Sequence, residues 1–402
     1  MKRALRILSL QPYFGGSHEQ FQNEWIEHSR HDWTVLSLPP RHWKWRMRHA
    51  SIHFAQEIKS LVADASLDSQ WDAIFCSDML NVAEFKGLVG ADQVLRQALA
   101  ELPIILYFHE NQFEYPTREG FKPDQHFPFT NFISALTADR IWFNSRFNFE
   151  SMQRGLIRHG KRWPDFVPTT SMQSLSSRVE VQPPGICPPC FELEEFQQQR
   201  IARAQAGQPI RIVWAARWEH DKNAEDLLAA LKRLDSSGVP FQLSVLGQSF
   251  HYSPPAFEEI KQAFGDRIMR WGYQETRAAY GKALAESDVF VSTARHEFFG
   301  LAAAEAITTG LHPLFPNRLA YPELLQYTLD ESNLNSGELD GAENSCVYDG
   351  TSGGLADSIE RLIEYRRIDP SAMFGLGRAR CLIDSLNWKR RAAELDDAIV
   401  SH

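Results

Sequence analysis

Five cysteines among 402 residues is an odd number at low density, which excludes a disulfide framework and leaves reduced thiols as the expectation. No apolar run approaches the length of about 18 residues that a membrane-spanning helix needs, and Met1 to Leu10 is too short and too charged for a secretory leader. The chain contains no Asp-x-Asp, no His-Glu-x-x-His and no Gly-x-Gly-x-x-Gly. The first two absences argue against a bound metal and the third against a dinucleotide-dependent dehydrogenase. No internal repeat and no low-complexity segment is present, so solenoid and disordered classes are excluded as well. A soluble, cytoplasmic protein without an obligate protein partner is expected.

At 43% hydrophobic and 12% aromatic residues, the chain can bury two ordinary cores. Its charge is unevenly placed. Residues 1–190 hold 20 Lys plus Arg against 20 Asp plus Glu, which leaves 22 against 31 for the remainder of totals of 42 and 51. An acidic second half argues against a protein coated in nucleic acid, because such binding needs cations to displace counterions from phosphates. A neutral first half still leaves room for a local basic patch.

Short apolar runs alternate with longer amphipathic stretches. Residues 6–10, 33–38, 71–77, 103–108, 140–144 and 179–182 read as strands, and the rhythm restarts at 211–218, 241–247, 267–271, 289–293 and 312–315. Apolar strands separated by helical patterns imply parallel sheets covered on both faces, so the expected fold is α/β with two Rossmann-like doubly wound domains. Val181 to Cys190 carries four prolines and a glycine, and with the Gln- and Arg-rich stretch to Gln208 it reads as the hinge. The expected domains are 1–190 and 191–380, with 381–402 a tail in which Leu386 to Val400 forms one amphipathic helix that must pack against something. Cys187 and Cys190 form a single C-x-x-C with no second pair and read as part of the hinge.

Five segments could carry chemistry. His296-Glu-Phe-Phe-Gly-Leu-Ala-Ala-Ala-Glu305 follows a strand and places Glu297 and Glu305 eight positions apart. A helix starting near Phe299, with Gly300 and Leu301, would aim its free amides at a phosphate. The alternative is a buried helix with one exposed Glu at each end. Arg217-Trp-Glu-His-Asp-Lys222 closes the first strand of the second domain. Its guanidinium and ammonium could together neutralise a diphosphate, or simply line a solvated loop. After the first strand, Gly15 and Gly16 precede Ser17 and Gln20, which suggest a capping box and either a ligand-approaching turn or an ordinary one. His109 ends a fully apolar strand and could bond a sugar hydroxyl or serve only structure. Finally, Arg41, Lys44, Trp45 and Arg48 would share one helical face suited to gripping phosphates and stacking a base, unless Trp43 and Met47 merely pack inward beneath a solvated surface.

The two Rossmann-like units, Arg217-x4-Lys222 and Glu297-x7-Glu305 resemble the retaining glycosyltransferases of family 4, which have the GT-B fold with two domains facing across a cleft. Pro12-Tyr-Phe-Gly-Gly-Ser-His18, Leu38-Pro-Pro-Arg-His-Trp-Lys-Trp-Arg46, Phe108-His-Glu-Asn-Gln-Phe-Glu-Tyr-Pro116, Arg217 to Asn223 and His296 to Gly300 with Pro316-Asn-Arg-Leu-Ala-Tyr-Pro-Glu323 look, more narrowly, like the tRNA-queuosine mannosyltransferases. That resemblance implies α-mannose transfer from GDP-mannose to queuosine in the anticodon loop of tRNA(Asp), with retention and without a cofactor. It implies that Arg217 and Lys222 hold the diphosphate, Glu305 the ribose, and Glu297 the hexose together with the amides near Phe299 and Gly300. His109 and the Gly15-Gly16 loop would close on the other side of the sugar. The resemblance also implies that the tail helix crosses back onto the first domain. The residues alone leave GDP and UDP donors open. They also leave open a family 4 enzyme acting on glycolipid or polysaccharide, and a non-catalytic RNA-binding protein.

Overall fold

The computed structural model describes residues 3–63, 70–114, 124, 126–163, 165–249, 253–329 and 346–400. Tyr115 and Pro116 of the fourth motif lie outside this set. The chain divides into two compact units, Met1–Gly185 with Trp388–His402, and Ile186–Asn387. The division thus falls earlier than position 190, and the return to the first unit begins at Trp388 rather than at 381.

In the first unit, strands β1 (Arg6–Gln11), β2 (Asp32–Ser37), β3 (Ala73–Ser77), β4 (Ile104–Phe108), β5 (Arg140–Phe143) and β6 (Val179–Val181) form a parallel sheet ordered β2-β1-β3-β4-β5-β6. β3 and β4 are buried along their whole length, which is why they appear as unbroken apolar runs. Alternate side chains serve opposite faces. Cys76, Leu106 and Phe143 join one hydrophobic core, whereas Phe75, Tyr107 and Trp142 lie in a ring cluster with Phe21 and Trp25. Trp388 adds its indole to that cluster 5.6 Å from Phe21, over Gly185, where a Cβ would lie 2.3 Å from the ring.

The second unit holds β7 (Ile210–Ala215), β8 (Phe241–Leu246), β9 (Ile268–Gly272), β10 (Val289–Val291), β11 (His312–Pro316) and β12 (Val347–Tyr348), ordered β12-β11-β10-β7-β8-β9 and again parallel. Ile212 and Trp214 point into one core, Val213 and Ala215 into the other. The sheet grows one way from β7 to β9 and the other way from β10 to β12, so its topological switch lies between β7 and β10. Loops at the carboxyl ends of such a strand pair are where α/β sheets bind ligands.

Three local expectations are corrected. The Gln- and Arg-rich stretch after the prolines is a helix, Leu193–Gln205, because Arg200 is fully buried and donates to the Ala285, Ser287 and Thr309 carbonyls. The tail helix starts at Trp388, two residues later than expected, because Asn387, at φ −60° and ψ 148°, separates it from Gly377–Leu386. The two-residue β12 lies beyond the strands expected from the sequence.

Candidate active site

Both loops at the second unit's switch point carry expected site residues. Beyond β7 the chain makes a short 3-10 turn, His220–Lys222, and Asn223 adopts a left-handed conformation before helix Ala224–Ser236. Beyond β10, residues 292–300 lead to Gly300, whose φ of 91° suits glycine, and helix Leu301–Thr308 starts after it. The two loops are stitched together below the site. Thr293 Oγ1 donates to the Lys222 carbonyl at 2.8 Å, and the Arg295 amide to the Asp221 carbonyl at 2.8 Å.

Lys222 is the centre of this arrangement. Its Nζ donates to the His296 carbonyl at 2.8 Å and lies 3.3 Å from Glu297 Oε2 and 3.2 Å from Asp221 Oδ2. Burial disfavours the ammonium, but Glu297 and Asp221 outweigh it and hold the lysine above its ordinary pKa. Burial likewise works against the Glu297 and Asp221 carboxylates, and the Lys222 charge overrides it, keeping both below the ordinary carboxylate range. His296 is pushed down to about 4 by burial and then by Lys222, so it is neutral at pH 7. The loop therefore holds a fixed cation flanked by fixed anions in a low-dielectric setting, able to exchange carboxylate partners for phosphate oxygens.

The other expected donor-side residues occupy the same region with different freedom. Arg217 has about half of its side chain exposed and pairs with Glu219 at 3.4 Å, close enough for its charge to lower the His296 pKa. Phe299 is buried in the core beneath the loop, and the helix begins at Leu301, later than Phe299. Glu305 is engaged by the Arg277 guanidinium at 3.5 Å and by the Tyr280 hydroxyl. Asp221, His296, Arg277 and Tyr280 were given no role by the sequence. For Asp221 and His296 the signal was available, since both sit inside the motifs that contain Lys222 and Glu297.

In the first unit the switch lies between β1 and β3, and three loops meet there. The expected capping box does not form: helix Ser17–His28 is capped by Gly16 without a side-chain bond, because Gly16 at φ 57° turns the chain on its own. Gly15 is tight, with Pro40 2.3 Å from where a Cβ would be, whereas a Cβ on Gly16 would meet nothing within 4 Å. The His18 ring packs tilted against that of His109 with centroids 4.0 Å apart, which joins the glycine loop to the end of β4. Burial, then His18, holds the His109 imidazole well below its ordinary pKa. Asp78, at the end of β3, accepts from the His109 amide at 3.0 Å, and Asn144 Nδ2 donates to the His109 carbonyl at 2.7 Å. Asp78 is a residue that motif reasoning missed, since nothing in its neighbourhood marks it except burial.

Burial, then the Glu110 carboxylate, raises Asp78 well above the ordinary aspartate value. A raised folded-state pKa means that ionisation is resisted by the fold, so Asp78 costs stability increasingly as pH rises from the unfolded value of about 3.9 toward the folded one. Asp78→Asn keeps an oxygen for the His109 amide and removes that cost. Its stability relative to the natural chain should therefore rise as pH is raised above about 4, as read by urea unfolding. A flat difference would rule out a raised Asp78 pKa.

The basic segment differs in one respect from expectation. Its helix spans Trp43–Ala63, so Arg41 lies ahead of it, separated by His42 at φ 55°. Lys44 and Arg48 lie over the Phe127 ring, at 5.8 and 5.1 Å, and Trp45 is 62% exposed beside His49. Met47 packs inward with Phe127, and Trp43 lies against the same small cluster. Among the described residues no helix is long and apolar enough to cross a membrane, and no group of three or more His, Cys, Asp or Glu could hold a metal.

A family model described as tRNA-queuosine alpha-mannosyltransferase N-terminal matches residues 6–186, and one described as Family 4 Glycosyltransferase in conflict systems matches residues 169–369. A tRNA-queuosine alpha-mannosyltransferase of Drosophila melanogaster is 35% identical over 323 residues, covering 79% of this chain and 81% of that protein. Among solved structures, the catalytic domain of starch synthase IV from Arabidopsis thaliana bound to ADP and acarbose superposes with a TM-score of 0.68 at 13% identity, covering 99% of each chain. A sucrose-phosphate synthase from Thermosynechococcus elongatus gives 0.64 at 17% identity, covering 98% of each. These two show the shared GT-B fold, and the sequence relatives carry the closer assignment: this chain is a glycosyltransferase and belongs to the tRNA-queuosine alpha-mannosyltransferase family.

Proposed function

We propose that this enzyme transfers α-mannose from GDP-mannose to queuosine in the anticodon loop of tRNA(Asp), with retention of configuration and no cofactor. The observation that carries the donor side is Lys222, buried and positive at the switch point of the second unit with Glu297 on its Nζ. A diphosphate leaving group needs such a charge more in the transition state than in the ground state. Arg217, half exposed, supplies a second cation for the same group. Glu305 would hold the ribose, Glu297 the hexose hydroxyls, and the amides near Phe299, Gly300 and Leu301 the phosphate.

On the acceptor side, the reading uses the Gly15-Gly16 loop and His109. Their placement beside one another through His18 supports it. Arg41, Lys44, Trp45 and Arg48 are read as tRNA contacts. In the transfer itself the anomeric carbon loses its bond to the diphosphate oxygen and gains one to the acceptor hydroxyl oxygen. The hydroxyl proton passes to the departing phosphate on the same face of the sugar. The protein then contributes charge neutralisation and orientation rather than a nucleophile.

Purified enzyme incubated with bulk tRNA and each labelled nucleotide sugar, followed by nucleoside mass spectrometry, tests this directly. Mannosyl-queuosine formed from GDP-mannose alone is the expected product. Labelling of an unmodified nucleoside, or equal use of UDP sugars, would overturn the acceptor or the donor respectively.

A further inference from the structure

Although the chain is acidic overall, with a formal net charge of −9, Arg146 to Arg162 carries five Lys plus Arg against one Glu. Helix Arg146–Gly160 puts Arg154, Ile157 and Arg158 on one exposed face, with Ile157 59% exposed, and exposed Lys161 and Arg162 follow at its C-cap and just beyond. Arg158 pairs with Glu114 at 2.8 Å and Arg154 with Glu150 at 3.7 Å, while no ion pair among the described residues involves Lys161 or Arg162. Cations near a helix C-terminus are an ordinary complement to its dipole. That role explains neither the exposed Ile157 nor the rings beside it. Phe129, 43% exposed, meets the Trp163 indole edge-on at 5.6 Å.

We propose that Arg158, Lys161 and Arg162, with the Phe129–Trp163 pair, form a second phosphate-gripping and base-stacking surface for the RNA substrate, distinct from that at Lys44 and Arg48. Phe129 lies on helix His126–Thr137 on the face away from buried Phe127, so this surface is distinct from that at Lys44 and Arg48. Exposed cations beside the half-exposed Phe129 ring form an arrangement that grips a phosphate backbone and offers a base a flat face. The positive field is felt inside the fold as well: burial, then Arg162 and Arg158, depresses the His159 pKa. This surface rests on the reading of the acceptor as tRNA, and it makes the enzyme grip more of that molecule than the loop bearing the modified base.

The double variant Lys161→Ala/Arg162→Ala changes two exposed side chains and leaves the core untouched. Binding of a tRNA transcript would be followed by fluorescence anisotropy from about 50 to 200 mM salt, and transfer kinetics would be measured on queuosine-containing tRNA. Losing two phosphate contacts should flatten the slope of log K against log salt by about 1.4 to 1.8 and weaken binding roughly tenfold or more, the loss appearing in KM for tRNA. An unchanged slope and KM would overturn the surface, as would a variant that loses affinity for anionic lipid vesicles but not for tRNA. Natural enzyme that shows no affinity for tRNA at any salt would instead sink the acceptor reading, and this surface with it.

Discussion

Lys222→Met should lower transfer turnover by about 10² to 10³, the effect of losing one preorganised group that stabilises a developing anion. The side chain volume is nearly kept, but the ammonium that meets the His296 carbonyl, Glu297 and Asp221 is gone. Asp221, 1% exposed at its side chain, is then left without its nearest cation, a situation that costs about 3–5 kcal/mol for a fully buried pair and less here because Glu297 is about a quarter exposed. The two losses separate by pH. In the natural chain the depressed carboxylate pKa values add stability above the unfolded carboxyl value, and that stability is lost only as pH falls through the folded ones. The variant should begin to unfold at higher pH, while at pH 7 its fold persists and its turnover does not. Steady-state kinetics at pH 7 with a parallel acid titration of fluorescence reads both. Full activity in a folded Lys222→Met protein would remove the ammonium from the reaction.

The sequence made this site legible because two loops of a Rossmann-like sheet must meet at the switch point, whatever their distance along the chain. Apolar runs located β7 and β10, and once those strands are adjacent, Lys222 and Glu297 have to be neighbours. What stayed hidden depends on burial rather than pattern. Asp78 sits in an unmarked Cys76-Ser-Asp-Met79 stretch, and only the fold shows that its carboxyl is buried against the His109 amide. Arg200 looked like hinge polarity because a charged residue in a Gln-rich run is usually solvated. Its guanidinium instead satisfies three carbonyls at the ends of neighbouring elements. Gly16 replaced the expected Ser17 cap because a residue free to take φ 57° can start the helix without a side-chain acceptor. Asn387 delays the start of the tail helix to Trp388, since it takes an extended conformation that bridges to Ile186.

Asp396→Ala should destabilise the first unit by about 3–5 kcal/mol, because three donors lose a charged acceptor at once. Asp396, 1% exposed, accepts from Trp25 Nε1 at 2.9 Å, Ser29 Oγ at 2.8 Å and the Arg30 amide at 2.8 Å, although it lies more than 360 residues away in sequence. The returning helix Trp388–Val400 is therefore a structural member of that unit and not an appendage. At roughly 2–4 °C per kcal/mol for a unit of this size, the melting transition should fall by roughly 10 °C. The damage should also reach the candidate site. Trp25 contacts Phe21 at 5.7 Å, and Phe21 meets the His109 ring at 5.2 Å, so loosening the indole frees the imidazole that the fold holds in place. Asp397→Ala is the control, since its pair with Arg30 is partly exposed and worth at most about 1 kcal/mol. Calorimetry of the two variants, with transfer kinetics measured below both transitions, distinguishes a tail that completes the unit from one that merely covers it. Equal melting for Asp396→Ala and Asp397→Ala would show that the buried carboxylate is not what secures the return.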